Sequence, residues 1–150
     1  MEKLFWSIAL PGFGQLLNGQ LLKGFVLIAL EFLVNVNAHF NMAILHSFHG
    51  DIEAAAAVTN YGWLMFYPCL YFFAMWDAYR NSGRNMSPFT FFPFAFSAFF
   101  VTVGLIYSNT FTIAGVLLGP VWFPMLCVIP GVAVGFLLKG ICTRWFPIES

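Results

Sequence analysis

A chain of 150 residues that is 61% hydrophobic and only 8% charged cannot hide its apolar side chains inside a water-soluble fold of that size, because a small domain leaves much of its surface exposed and soluble domains carry about 25% charged residues. Its formal net charge is zero and it has no run of basic residues, so it has no general attraction to nucleic acid or to an anionic lipid surface. The composition describes an all-α integral membrane helical bundle with the lipid bilayer as its solvent.

Taken in chain order, the first ten residues, MEKLFWSIAL, hold a short apolar run with no small-x-small cleavage site after it, and read as retained. Residues 4–17 are too short to span about 30 Å of hydrocarbon, which takes about 20 helical residues, and Pro11, Gly12 and Gly14 interrupt them. Residues 1–23 are expected to form an interfacial or re-entrant entry, with a short first span running on toward Leu22 as the alternative. Four membrane spans follow, at 24–45, 61–79, 89–107 and 113–142. Pro68 is expected to kink the second. The loop at 46–60 holds Asp51, Glu53 and a helical-looking alanine patch at 54–57. The last apolar stretch is about 45 Å long as a straight helix. It is expected to be one kinked, tilted helix with an interfacial end rather than two pieces.

All six basic residues (Lys3, Lys23, Arg80, Arg84, Lys139 and Arg144) fall on one side of such a four-span arrangement, and Asp51 and Glu53 fall on the other. The positive-inside rule then puts both termini in the cytoplasm.

Glu31 is the one charged residue within 24–45, and intramembrane acids are expensive unless paired, turned inward or used for protons and ions. At about 100° per residue, Asn35, His39 and His46 share its face, which gives a polar stripe Glu31–Asn35–His39–His46. It serves either as a buried structural carboxylate bonded to a neighbour such as Asn35 or as a proton or cation path. His46 and His49 are spaced i,i+3, but no third ligand is fixed by spacing, and no metal or cofactor is expected. Cys69, Cys127 and Cys142 contain no C-x-x-C and are read as packing residues.

Asp77 and Arg80, at i,i+3 on the end of the second span, are expected to form a membrane-edge ion pair beside Trp76 and Tyr79. Gly115-x-x-x-Gly119 and Gly131-x-x-x-Gly135 are small-x-x-x-small patterns expected to pack helices closely in the last span, within the chain or at a homodimer seam. No nucleophile elbow, H-E-x-x-H or paired-carboxylate arrangement is present, so no catalytic set is expected.

The most patterned stretch is Pro11-Gly12-x-Gly14 followed by Gly19 and Gly24. Its glycines permit tight turns and close backbone approach, while Asn18 and Gln20 are placed to satisfy backbone groups. This block resembles the P-G-x-G-x-x-x-x-G-x-x-x-x-G entry of small bacterial membrane proteins related to the TM2-domain group, and Trp76-Asp77-Ala78-Tyr79-Arg80 resembles that group's later aspartate-bearing element. The resemblance covers residues 10–80. Leu17 stands where an aromatic often sits, the hairpin loop is longer than usual, and residues 89–142 have no counterpart. It implies a membrane hairpin in a bacterial cell membrane and supplies no reaction. The expected function is that of a non-enzymatic interaction partner, adaptor or accessory subunit, working with a membrane protein partner or as a homo-oligomer. The alternative is a small oligomeric transporter or channel component using the Glu31–Asn35–His39–His46 path.

Overall fold

The computed structural model describes residues 2–82 and 88–145; Arg84, counted in the orientation argument, lies outside them. Apart from one two-stranded hairpin, the regular structure is helical. Three helices are long and apolar enough to cross a membrane: Leu21–Ala38, Phe89–Tyr107 and Gly119–Trp145.

The entry consists of α1 (Glu2–Ala9) and the short α2 (Phe13–Leu17), separated at Pro11-Gly12. Residues 24–45, expected to be one span, form two helices: α3 (Leu21–Ala38) and α4 (Phe40–Phe48). The break falls at His39, whose φ of 54° is left-handed, a conformation that histidine visits more readily than most residues. The carbonyl of Ala38 accepts a hydrogen bond from the Asn60 amide at 3.0 Å, so the broken helix end is satisfied from outside. The alanine patch is helical, within α5 (Ile52–Val58), and Asp51 caps it by accepting from the Ala54 amide at 3.1 Å.

The stretch 61–79 is also divided, into α6 (Tyr61–Leu64) and α7 (Phe66–Arg80). Pro68 explains the division, since a proline ring clashes with the carbonyl four residues earlier, here that of Leu64, where α6 ends. A short 3-10 turn (Pro88–Phe91) leads into α8 (Phe92–Tyr107).

The expected last span, 113–142, starts later than its hydropathy suggests. Strands β1 (Thr112–Ile113) and β2 (Val116–Leu117) form a hairpin turning through Ala114 and Gly115, and only then does α9 (Gly119–Trp145) begin. Ala114 and Gly115 have φ of 52° and 80°, the positive pair that a two-residue type I′ turn requires. Gly115 is therefore a turn residue and not part of a helix-packing motif. From Gly119 onward the one-helix alternative holds, with Pro124 and Pro130 inside a continuous α9.

The bundle is ordered by neighbour contacts: α3 against α7, α7 against α8, and α8 against α9 in the largest interface. The entry packs on α3 and α7, and α4 and α5 pack on α9. Trp122 of α9 donates to the Ser47 carbonyl at 3.2 Å, and its ring lies 4.7 Å from that of Phe48. Between Asn60, beside Ala38, and Asp77, beside Lys23, the chain runs antiparallel to α3 along most of its length.

Small residues make the contacts. Ala38, Ala43, Ala55, Ala74 and Ala78 are fully buried, whereas Phe25, Phe32, Phe66, Phe99 and Phe136 face outward. This inversion of a soluble core follows from lipid being as apolar as a phenylalanine, so that close packing drives association. Gly131 shows the device: a Cβ there would lie 2.7 Å from the Cα of Ser97 on α8, and one at Gly135 would meet Pro93. Gly131-x-x-x-Gly135 thus packs within the chain. Gly119, with φ of 69°, abuts the Ile52 side chain at the start of α9.

Candidate functional site

Where the glycine-rich entry meets the end of α7, polar side chains collect in an otherwise apolar molecule. Gly12 turns the chain with φ of 105° and leaves room against α3, for a Cβ there would sit 2.5 Å from the Gly24 carbonyl oxygen. At the other end of α2, the Gly19 amide donates to the Leu16 carbonyl and the Gln20 amide to the Gln15 carbonyl. This is the paired pattern of a Schellman cap, with Gly19 at the left-handed position. Gly14 is buried on α2. Two glycine turns one helix apart therefore hold a five-residue helix flat against α7 and aim Gln15 and Asn18 at it.

Asp77 is the centre of this arrangement and is only 5% exposed. Its Oδ1 accepts from Lys23 Nζ at 3.1 Å and from Asn81 Nδ2 at 3.1 Å, and its Oδ2 accepts from Gln15 Nε2 at 3.1 Å. The same Gln15 amide donates to the Ala74 carbonyl at 2.8 Å, and Asn18 Nδ2 donates to the Ala78 carbonyl at 3.0 Å. One further fastening comes from Tyr71, whose hydroxyl donates to the Ile8 carbonyl of α1. Positions 71, 74, 77–78 and 81 recur every three to four residues, so one face of α7 receives the whole entry.

The charge on Asp77 is met by an ammonium and two amides, as a buried carboxylate requires. Lys23, at 56% side-chain exposure, keeps water contact while it pairs. The expected Asp77–Arg80 pair is corrected by this geometry. The carboxylate turns inward to α2 and α3, while Arg80 is exposed and places its guanidinium 5.2 Å from the centre of the Trp76 ring. Spacing along α7 brought Asp77 and Arg80 into reach, but the donors supplied by the entry claim the acid.

The Glu31 stripe fares differently. Asn35 Nδ2 lies 3.5 Å from Glu31 Oε1, at the outer limit of a hydrogen bond, and donates to Asn41 Oδ1 at 3.2 Å. His39 is the exposed break residue, and His46 lies on α4, beyond it. The stripe assumed one helical register from 24 to 45, and the left-handed residue at 39 resets that register. Glu31 and Asn35 stay together; His39 and His46 do not continue their row.

No protein family, curated protein or solved structure matches this chain. The site is therefore read from its own geometry. That geometry contains Gln15, Asn18, Lys23, Tyr71 and Asn81, which sequence reasoning did not connect to Asp77. The available signal was the i,i+3 pair Gln15–Asn18 in an apolar entry, opposite the i,i+4 pair Asp77–Asn81 in an apolar helix.

Chemically the cluster is a latch. Its acid is saturated with donors. Among the described residues, no three His, Cys, Asp or Glu side chains gather in a way that could hold a metal ion.

Proposed function

We propose that the chain is a non-enzymatic multi-pass membrane protein that acts as an interaction partner, adaptor or accessory subunit of a membrane process. The observation that carries this reading is the use of Asp77: the deeply buried acid is committed to holding the entry on α7. Its apolar exterior suits lateral packing beside another membrane protein or a second copy.

We further infer four crossings in a bacterial cell membrane, with α6 and α7 together making the crossing that α7 alone is short for. The antiparallel run along α3 supports this. Lys23 and Arg80 lie at one end of the bundle with Lys139 and Arg144, because the Tyr79 ring lies 6.2 Å from that of Phe94 and Gly135 packs on neighbouring Pro93. Asp51 and Glu53 lie at the opposite end. The positive-inside rule assigns the basic end, and with it both termini, to the cytoplasm. The meeting of the glycine-rich entry with the Asp77 element also supports kinship with the TM2-domain group over residues 10–80.

Purification in native lipid discs followed by mass spectrometry tests the function. A stoichiometric second protein is expected. A lone homo-oligomer that conducts ions, and stops conducting in Glu31→Gln, would instead establish the transporter reading. The contacts of Asn35 with Glu31 on α3 and with Asn41 across the break on α4 are the observation in that reading's favour.

A further inference from the structure

On the far side of α7 from Phe73, the helices do not close on one another. A cavity of about 520 Å³ lies among α1, α4, α7, α8 and α9, within the roughly 300–1,000 Å³ typical of ligand sites. Its wall includes Ile44 and Phe48 from α4, Tyr67 from α7, Val101 from α8, and Val121 and Met125 from α9. Only two side chains in the whole lining, Tyr67 and Tyr71, carry a polar atom. Tyr71 already donates to Ile8. Along α7 the lining runs from Met75 at the inner end to Leu64 just beyond the helix's start, about 16 Å at 1.5 Å per residue. The chamber is thus long, narrow in polarity and aligned with the helices. Phe48 and Met125 line it and are also strongly exposed, so it opens sideways onto the lipid-facing surface.

Such a space has three possible contents. Water is disfavoured, because a buried water needs two to four polar partners and apolar cavities stay dry. An empty space is disfavoured too, because wall atoms with nothing beside them lose their dispersion contacts. Hydrocarbon costs neither, and in a bilayer it stands at the opening. We propose that this chamber binds one acyl chain of a membrane phospholipid as a structural lipid.

The inference rests on the membrane reading, and the test separates the two. The full-length protein is reconstituted in phosphatidylcholine discs doped with a phosphatidylcholine carrying a diazirine in its acyl chain. After photolysis, labelled peptides are mapped by mass spectrometry. Peptides around Phe32, which is 67% exposed and outside the chamber, report ordinary lipid contact. Their failure to label would refute membrane embedding itself. The chamber wall around Tyr67 and Val101 is expected to label saturably, reaching a plateau near one lipid per chain, while Phe32 labelling rises in proportion to the probe. Filling the space with Ile44→Trp, or from the opposite wall with Val101→Phe, is expected to lower chamber labelling at least five-fold and leave Phe32 unchanged. Chamber labelling that never saturates overturns the proposal without any variant. Labelling untouched by either filler in protein of native helix content overturns it as well.

Discussion

Deleting the Lys23 ammonium isolates the interaction on which the latch depends. In Lys23→Ala the Asp77 carboxylate, 5% exposed in the parent chain, keeps its donors Gln15 and Asn81 but loses the one cationic partner it has among the described residues. Removing a partner from a fully buried ion pair costs about 3–5 kcal/mol, and exposed pairs are worth at most about 1 kcal/mol. Lys23 is 56% exposed, so water screens the pair from one side and the cost falls between these limits, at about 2 kcal/mol. Asp77→Asn removes the charge without changing the volume. In that background the ammonium has little left to attract, so Lys23→Ala costs less than about 0.5 kcal/mol. The coupling across the double-mutant cycle is then about 1.5 kcal/mol. It is measured by reversible unfolding in mixed micelles, read by tryptophan fluorescence, with Trp6 and Trp76 both close to the latch. Additivity of the two substitutions within about 0.5 kcal/mol would refute the claim that Lys23 neutralises Asp77.

Three further outcomes follow from the backbone. Gly131→Ala drives a methyl to within 2.7 Å of the Ser97 Cα and should destabilise the α8–α9 pair by about 1–3 kcal/mol. Gly140→Ala on the same helix meets nothing within 4 Å and should be neutral or stabilising by up to about 1 kcal/mol in the same unfolding assay. At the left-handed break, His39→Gly should leave stability within about 0.5 kcal/mol of wild type, whereas the β-branched His39→Val should cost about 1–2 kcal/mol; equal effects would show that the break is not held at 39. Gly115→Val should cost about 1–2 kcal/mol by straining the hairpin turn, with faster proteolysis between α8 and α9 as the readout.

Composition alone pointed to the environment, since so few charges among so many apolar residues fit a helical membrane protein, in which every backbone group is paired, and three helices are long and apolar enough to cross a bilayer. Hydropathy also located most of the apolar helices, and the glycine spacing of the entry marked where the backbone turns and closes up. Hydropathy could not place the breaks. His39, Met65 and Ala114-Gly115 interrupt stretches that are apolar on both sides, and hydropathy does not register a single φ. Nor could one-dimensional spacing choose partners. From the sequence, Arg80 was the nearest cation to Asp77, and His39 and His46 were in line with Glu31. The tertiary structure decided otherwise, because α2 arrives from more than fifty residues away with Gln15 and brings Lys23 behind it. A buried carboxylate goes to whichever donors the fold delivers, and a helical stripe lasts only as long as its helix.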